Sequence, residues 1–200
     1  MRACTYRARP CELYPGNWPL IVGVSCDDSF AASVVGQAYN NEVRIFAAFL
    51  TEGMSLRRHF SEYLRPWLSA NCPRLELMGG YEDTLNIEIR SKTHEAAVEI
   101  LGGQWISIWH NWENRLDQMR DMLLRAQPFT FRPAVQFSPI NTAVLTQALQ
   151  SGRYREKAQA DKKNFHLVSA FTLALARQEL WKKMPKDSVP HRVAPSAWAT

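Results

Sequence analysis

The run Leu20-Ile21-Val22-Gly23-Val24-Ser25 decides the fold, together with Phe30-Ala31-Ala32-Ser33-Val34-Val35-Gly36-Gln37-Ala38-Tyr39 and Glu42-Val43-Arg44-Ile45-Phe46-Ala47-Ala48-Phe49-Leu50. The first run is short, apolar and rich in β-branched residues, as a buried central strand requires. The other two are apolar runs joined at Asn40-Asn41, and asparagine tolerates positive φ, so a tight hairpin is expected there. The chain therefore opens with three consecutive strands in a meander.

Downstream the period changes. Leu56, Phe60, Tyr63, Leu64 and Trp67 recur three or four residues apart, which predicts an amphipathic helix over 55–70 with Ser55 as its N-cap. Pro66 is expected to strain the last turn of that helix or to end it early. Leu75-Glu76-Leu77-Met78 reads as the next strand, stopped by Gly79-Gly80. Helices are expected over 92–101, 113–126, 138–150 and 164–181, and a strand over 105–109. A meander followed by alternating strands and helices predicts an α/β fold. Its sheet is mixed, with a three-strand antiparallel meander plus parallel strands, and helices flank it. That order is the one found in ribonuclease-H-like folds, and it is also compatible with other α/β folds. Residues 1–18 read as an extended lead-in, 19–182 as the folded domain and 183–200 as a loose tail.

Two hundred residues suit one domain, and 46% hydrophobic with 22% charged residues is a globular composition. No stretch has the roughly 18 apolar residues that cross a bilayer, and no apolar core follows Arg2, Arg7 and Arg9, so neither a membrane span nor a signal peptide is expected. Cys4, Cys11, Cys26 and Cys72 form no CxxC and no His pair has zinc-finger spacing, which points to free thiols in a reducing cytosol and away from structural zinc. A formal charge of +5 favours a polyanionic partner.

Several stretches, in order, resemble the nuclease domain of the large terminase subunit of tailed bacteriophages. Pro15-Gly16-Asn17-Trp18-Pro19 leads into Leu20–Ser25, and Ala31-Ala32-Ser33-Val34-Val35-Gly36-Gln37 follows, where the family writes a strand ending in Gly-x-Asp and then Ala-Ala-Val-x-Gly-Gln. The likeness continues through Thr51–Phe60, Gly79-Gly80-Tyr81, Arg90–Thr93, Asn114-Arg115-Leu116, Ser151–Arg155 and Lys162-Lys163-Asn164. It ends at His166 and Ser169-Ala170-Phe171, where the family writes a His followed closely by Asp-Ala. The family's ATPase half is not represented: Gly-x-x-x-x-Gly-Lys-Ser/Thr occurs nowhere.

The resemblance implies a ribonuclease-H-like fold and two-metal cleavage of DNA, in which carboxylates at strand ends and on a flanking helix hold two divalent ions. Carried over residue by residue, the family's first acid falls on Ser25, or on Cys26 if the loop insertion is placed earlier. The second falls on Gly80 and the third on Ser169. None is a carboxylate. The expectation is a degenerate, non-enzymatic nuclease fold that binds no metal. It would act in phage or prophage DNA packaging, in the host cytoplasm, as a scaffold for double-stranded DNA or for a motor ATPase, small terminase or portal. The alternative is an active Mg²⁺- or Mn²⁺-dependent endonuclease built on shifted acids: Asp27, Asp28, Glu82 and Asp83. A third reading is a pure protein-interaction or inhibitor module.

The DNA-contacting candidates are Arg57 and Arg58 on the first helix, with Arg153, Arg155, Lys157, Lys162 and Lys163, which occupy the place of the family's flexible hairpin. If the two groups share a face they make a phosphate-tracking surface without sequence preference. Cys26, beside Asp27, lacks the electropositive setting of a nucleophilic thiol. Trp105, Trp109 and Trp112 are expected in the core rather than as a base-stacking platform.

Overall fold

Six strands form one sheet in the order β5-β4-β1-β2-β3-β6. In this computed structural model the described residues are 18–39, 42–73, 75–83, 87–109, 111–124, 134–154 and 161–183. The strands β1 (Leu20–Cys26), β2 (Phe30–Tyr39) and β3 (Glu42–Glu52) make the antiparallel meander, with Leu20 opposite Gln37 and Tyr39 opposite Glu42. The strands β4 (Leu77–Glu82), β5 (Gln104–Ile108) and β6 (Val135–Phe137) add in parallel, β4 beside β1, β5 beside β4 and β6 beside β3. The predicted mixed α/β architecture is the observed one. The lead-in, the Asn40-Asn41 turn and the tail beyond 183 lie outside the described residues.

Helices cover both faces because the buried central strands present apolar side chains to both. On one face, Val22, Val24, Val35 and Phe46 pack against Phe60, Leu64 and Leu68, against Cys72, and against Ala96, Ala97 and Leu101. The helices there are α1 (Leu56–His59), a π-helical turn (Phe60–Leu64), α2 (Arg65–Asn71) and α3 (Ile87–Leu101). On the other face, Ile21, Ala32, Val34 and Ile45 pack against α4 (Trp112–Leu124), α5 (Ala143–Ser151) and α6 (Lys162–Lys183).

Three local departures from the sequence reading have physical causes. The first helix runs through Pro66 instead of ending there. A π turn sits just before the proline, with Arg65 N–H donating to the Phe60 carbonyl, and so absorbs the local break in the ladder. The strand β4 does not stop at Gly79-Gly80 but continues to Glu82. A Cβ on Gly79 would lie 2.0 Å from the Trp105 ring, and one on Gly80 would lie 2.5 Å from Ile108 Cδ1. The glycines are strand residues that make room for neighbours, not turn residues. The third departure is β6, whose three residues carry too little periodicity to be read.

A buried histidine ties α1 to the sheet. His59 Nε2 lies 2.9 Å from Ser33 Oγ on β2, and Nδ1 lies 2.9 Å from Thr51 Oγ1 on β3. Burial lowers its pKa from the ordinary 6.5 to about 4. The unfolded chain therefore takes up a proton near pH 6.5 that the native protein refuses until about pH 4. Stability contributed by His59 is complete above 6.5 and is lost as pH falls towards 4. Urea denaturation across this window is expected to show a His59-dependent fall of up to about 3 kcal/mol, flattened in His59→Gln. An unchanged pH slope in the variant would contradict this.

Candidate functional site

The carboxyl ends of β1 and β4 lie side by side beneath the first turns of α6. Val24 is level with Tyr81, so Ser25 and Glu82 follow as the next neighbours. Side chains alternate along a strand, and Gly23 and Gly80 both face α6: a Cβ on Gly23 would meet the Ala170 carbonyl, and one on Gly80 would come within 3.4 Å of the Leu173 carbonyl. Ser25 and Glu82 therefore face α6 as well.

Two hydrogen-bonded groups fill this pole. In the first, Ser25 Oγ lies 3.0 Å from His166 Nδ1, and His166 Nε2 lies 3.2 Å from Asp27 Oδ2. The imidazole thus bridges the Ser25 hydroxyl and the Asp27 carboxylate in one hydrogen-bonded chain. Asp27 is itself oriented: its Oδ1 accepts from the backbone N–H groups of Ser29, at 2.8 Å, and Phe30, at 2.7 Å. Partial burial raises the Asp27 pKa, but these two bonds and His166 outweigh it and leave the carboxyl below its ordinary value. In the second group, Arg115 Nη2 donates to Glu82 Oε1 at 2.9 Å, and Nη1 lies 3.5 Å from Ser169 Oγ. The guanidinium also sits 5.5 Å from the Trp112 ring centroid. Arg115 is 1% exposed and its Nε has no hydrogen-bond partner.

The Ser25–His166–Asp27 chain has the residue types of a nucleophilic triad but the opposite orientation in depth. Ser25 is 2% exposed while the Asp27 side chain is 35% exposed. A nucleophile must meet substrate and its orienting carboxylate sits behind it, so this chain anchors α6 to β1 and does not activate an attacking oxygen.

The structure brings Ser25 and Ser169 together at the pole and leaves the other carried-over positions away from it. Cys26 follows the alternation to the opposite face, where Thr93 hydrogen-bonds its thiol and burial pushes the pKa up to about 11. Gly80 lies opposite Gly23 in mid-sheet, under α6, so the β4 residue level with Ser25 is Glu82. The strand β4 runs two residues past the glycine pair to reach that level. Of the shifted acids, Asp27 is held by His166, Glu82 by Arg115, and Asp83 by Arg90 at 3.1 Å, while Asp28 is exposed. Among the described residues no group of three or more His, Cys, Asp and Glu is placed to hold a metal ion.

The basic residues do not form one face. Arg57 and Arg58 belong to the α1 layer, and Arg153, Lys162 and Lys163 to the α6 side, with the sheet between the layers. Arg57 pairs with Glu99 at 2.5 Å, Arg58 with Glu62 at 2.8 Å and Lys163 with Glu52 at 2.8 Å. Lys162 stands 3.8 Å from Asp27 at the pole, and Arg153 is exposed. Arg155 and Lys157 lie outside the described residues. Trp105 and Trp112 are buried as expected, but Trp109, just beyond β5, is 66% exposed. No described helix is long and apolar enough to cross a membrane.

The fold of the chain is similar to that of several solved structures. The manganese-bound nuclease domain of the large terminase from bacteriophage SPP1 superposes with a TM-score of 0.50 at 13% identity, covering 80% of this chain and 86% of that domain. The chain has the fold of a terminase nuclease domain. The human cytomegalovirus terminase nuclease domain, soaked with manganese, gives 0.52 at 11% identity over 80% of this chain and 83% of that one. The large terminase of a thermophilic bacteriophage gives 0.56 at 11% identity over 82% of this chain, and there the likeness spans 41% of the phage protein. No family model and no curated protein matches the sequence.

Arg115 is read in the sequence only within Asn114-Arg115-Leu116 and is assigned no role there, although a signal existed. It falls in register with Trp112, Leu116, Met119 and Met122 on the buried stripe of α4, and a charged residue on such a stripe requires an internal partner. Glu82→Gln is expected to leave the guanidinium buried without its counter-charge and to lower stability by about 2–3 kcal/mol, less than for a fully buried pair because Glu82 is partly exposed. Urea denaturation at neutral pH measures the loss.

Proposed function

We propose that this protein is a DNA-packaging-related relative of terminase nucleases that binds rather than cuts. The observation that supports this is the donor set at the pole: hydroxyls at Ser25 and Ser169, and carboxylates at Asp27 and Glu82 already engaged by His166 and Arg115. A two-metal centre needs several unpaired carboxylates converging on two hard cations. These residues do not fit that group. Serine hydroxyls are neutral, weak ligands, and the Asp27 and Glu82 carboxylates are held by a ring N–H and a guanidinium.

What remains at the pole suits phosphate contact. Lys162 and Lys163 stand exposed at the start of α6, and Arg153 lies beside them in the preceding turn. The absence of aspartates at Ser25 and Ser169 removes repulsion that a phosphate would otherwise meet. Such binding tracks the backbone without reading sequence, so it weakens steeply with salt. The docking of a packaging partner on the same scaffold is the companion role.

The test is plasmid cleavage with Mn²⁺ or Mg²⁺, run beside an Asp27→Ala/Asp28→Ala variant, together with a gel shift on linear duplex DNA. Folded protein is expected to leave the plasmid intact and to shift duplex equally in Mn²⁺ and in EDTA. Lys162→Glu/Lys163→Glu is expected to weaken the shift by about tenfold, since each lost phosphate contact lowers affinity and its salt dependence. Metal-dependent cutting abolished in the Asp variant would establish the shifted-acid nuclease instead. No DNA shift and no capture of a motor ATPase or portal would overturn the scaffold reading.

A further inference from the structure

We infer that the Arg115 guanidinium takes the electrostatic place of a divalent cation at this pole, so that restoring carboxylates at Ser25 and Ser169 would not by itself restore metal binding. The inference rests on the reading of the pole as one that does not cut, and it assigns the reason to the buried guanidinium as well as to the missing acids.

The Arg115 side chain rises from α4 and places Nη2 at 2.9 Å from Glu82 on β4 and Nη1 at 3.5 Å from Ser169 on α6. It thus joins the two elements that, with β1, enclose the pole. A cation held among carboxylates on two strand ends and a helix would do the same. Mn²⁺ accompanies the SPP1 and cytomegalovirus nuclease domains that share this fold.

The second step is confinement. The side chain is 1% exposed, packed against Trp112, and its Nε is both buried and unpartnered. Such a group has no solvated alternative close by, so the charge stays at the pole. Burial lowers the guanidinium pKa from its ordinary value and Glu82 opposes the shift, yet arginine remains charged throughout the working pH range. A dication approaching Glu82 would compete for the same oxygen with a fixed positive charge in a medium that screens poorly.

The third step is what a new acid would meet. A carboxylate at position 169 would lie beside Nη1 and form the second half of a bidentate clamp on the guanidinium. It would be neutralised as it was introduced. The groups that face the guanidinium from the surrounding elements are Glu82 and Ser169, with Trp112 on its own helix; Ser25 is directed to His166.

The experiment compares Mn²⁺ binding, by electron paramagnetic resonance and calorimetry, in the wild type, in Ser25→Asp/Ser169→Asp, and in Ser25→Asp/Ser169→Asp with Arg115→Met. The double variant is expected to bind Mn²⁺ no better than wild type, and the triple variant at least about tenfold tighter than the double. Equal affinity in the double and triple variants would overturn the inference while leaving the non-cutting reading intact. Mn²⁺ binding and cleavage by the wild type would overturn that reading instead. Ser169→Asp alone keeps the test decisive if the triple variant does not fold. It is expected to retain or raise the urea midpoint and to bind no Mn²⁺, because the guanidinium captures the new carboxylate. A lowered midpoint with acquired Mn²⁺ affinity would refute the inference.

Discussion

The close seating of α6 on β1 is the constraint on which the pole depends. At Gly23 the strand and helix backbones approach so nearly that a Cβ would stand 1.9 Å from the Ala170 carbonyl oxygen and 2.5 Å from the Ala174 nitrogen. Only glycine on the strand and small residues on the helix permit that distance. The contact fixes both the height of α6 over the sheet and its rotation. His166 and Ser169 lie within about one turn of Ala170, so their side chains are delivered to the end of β1 and to Arg115 with little freedom. Any residue that lifted the helix would part Ser25 from His166 before it disturbed the rest of the core.

The fold was legible where the signal is local and periodic. The β-branched run at Leu20–Ser25 and the two runs after it define the meander, and the spacing of Leu56, Phe60 and Leu64 defines the first helix. It was not legible where one residue answers to another far away in the chain. Gly79 and Gly80 carry the local signature of a stop, yet their purpose is to admit the Trp105 ring and the body of α6. Motif order carried the family's second acid onto Gly80, whereas the β4 residue level with Ser25 is Glu82. The pole itself was half legible. Ser25 and Ser169 could be placed from motif order, whereas the Arg115–Glu82 pair joins α4 to β4 over a separation that no short pattern encodes.

Among the described residues many charges stand in local pairs. The chain carries a formal +5, but Arg57, Arg58, Arg90, Arg115, Lys92 and Lys163 each lie against an acid. Exposed pairs of this kind contribute little to stability and are screened by salt. The Arg115 pair differs because one partner is fully buried, and its value lies in geometry: it fixes α4 against the end of β4. A net charge read from composition says nothing of where the basic residues lie or which of them are paired.

The burial of Cys26 and Cys72 has a chemical consequence. Desolvation raises both thiols from the ordinary 9.0 to about 11. At neutral pH their thiolate fraction is on the order of 10⁻⁴, about a hundredfold below that of an ordinary thiol. The thiolate is the form that attacks disulfides and is oxidised, so both sites react slowly with either kind of agent. Cys72 lies in the core and Cys26 is half-buried, so labelling of Cys72 in the native protein reports on opening of the core rather than on surface access.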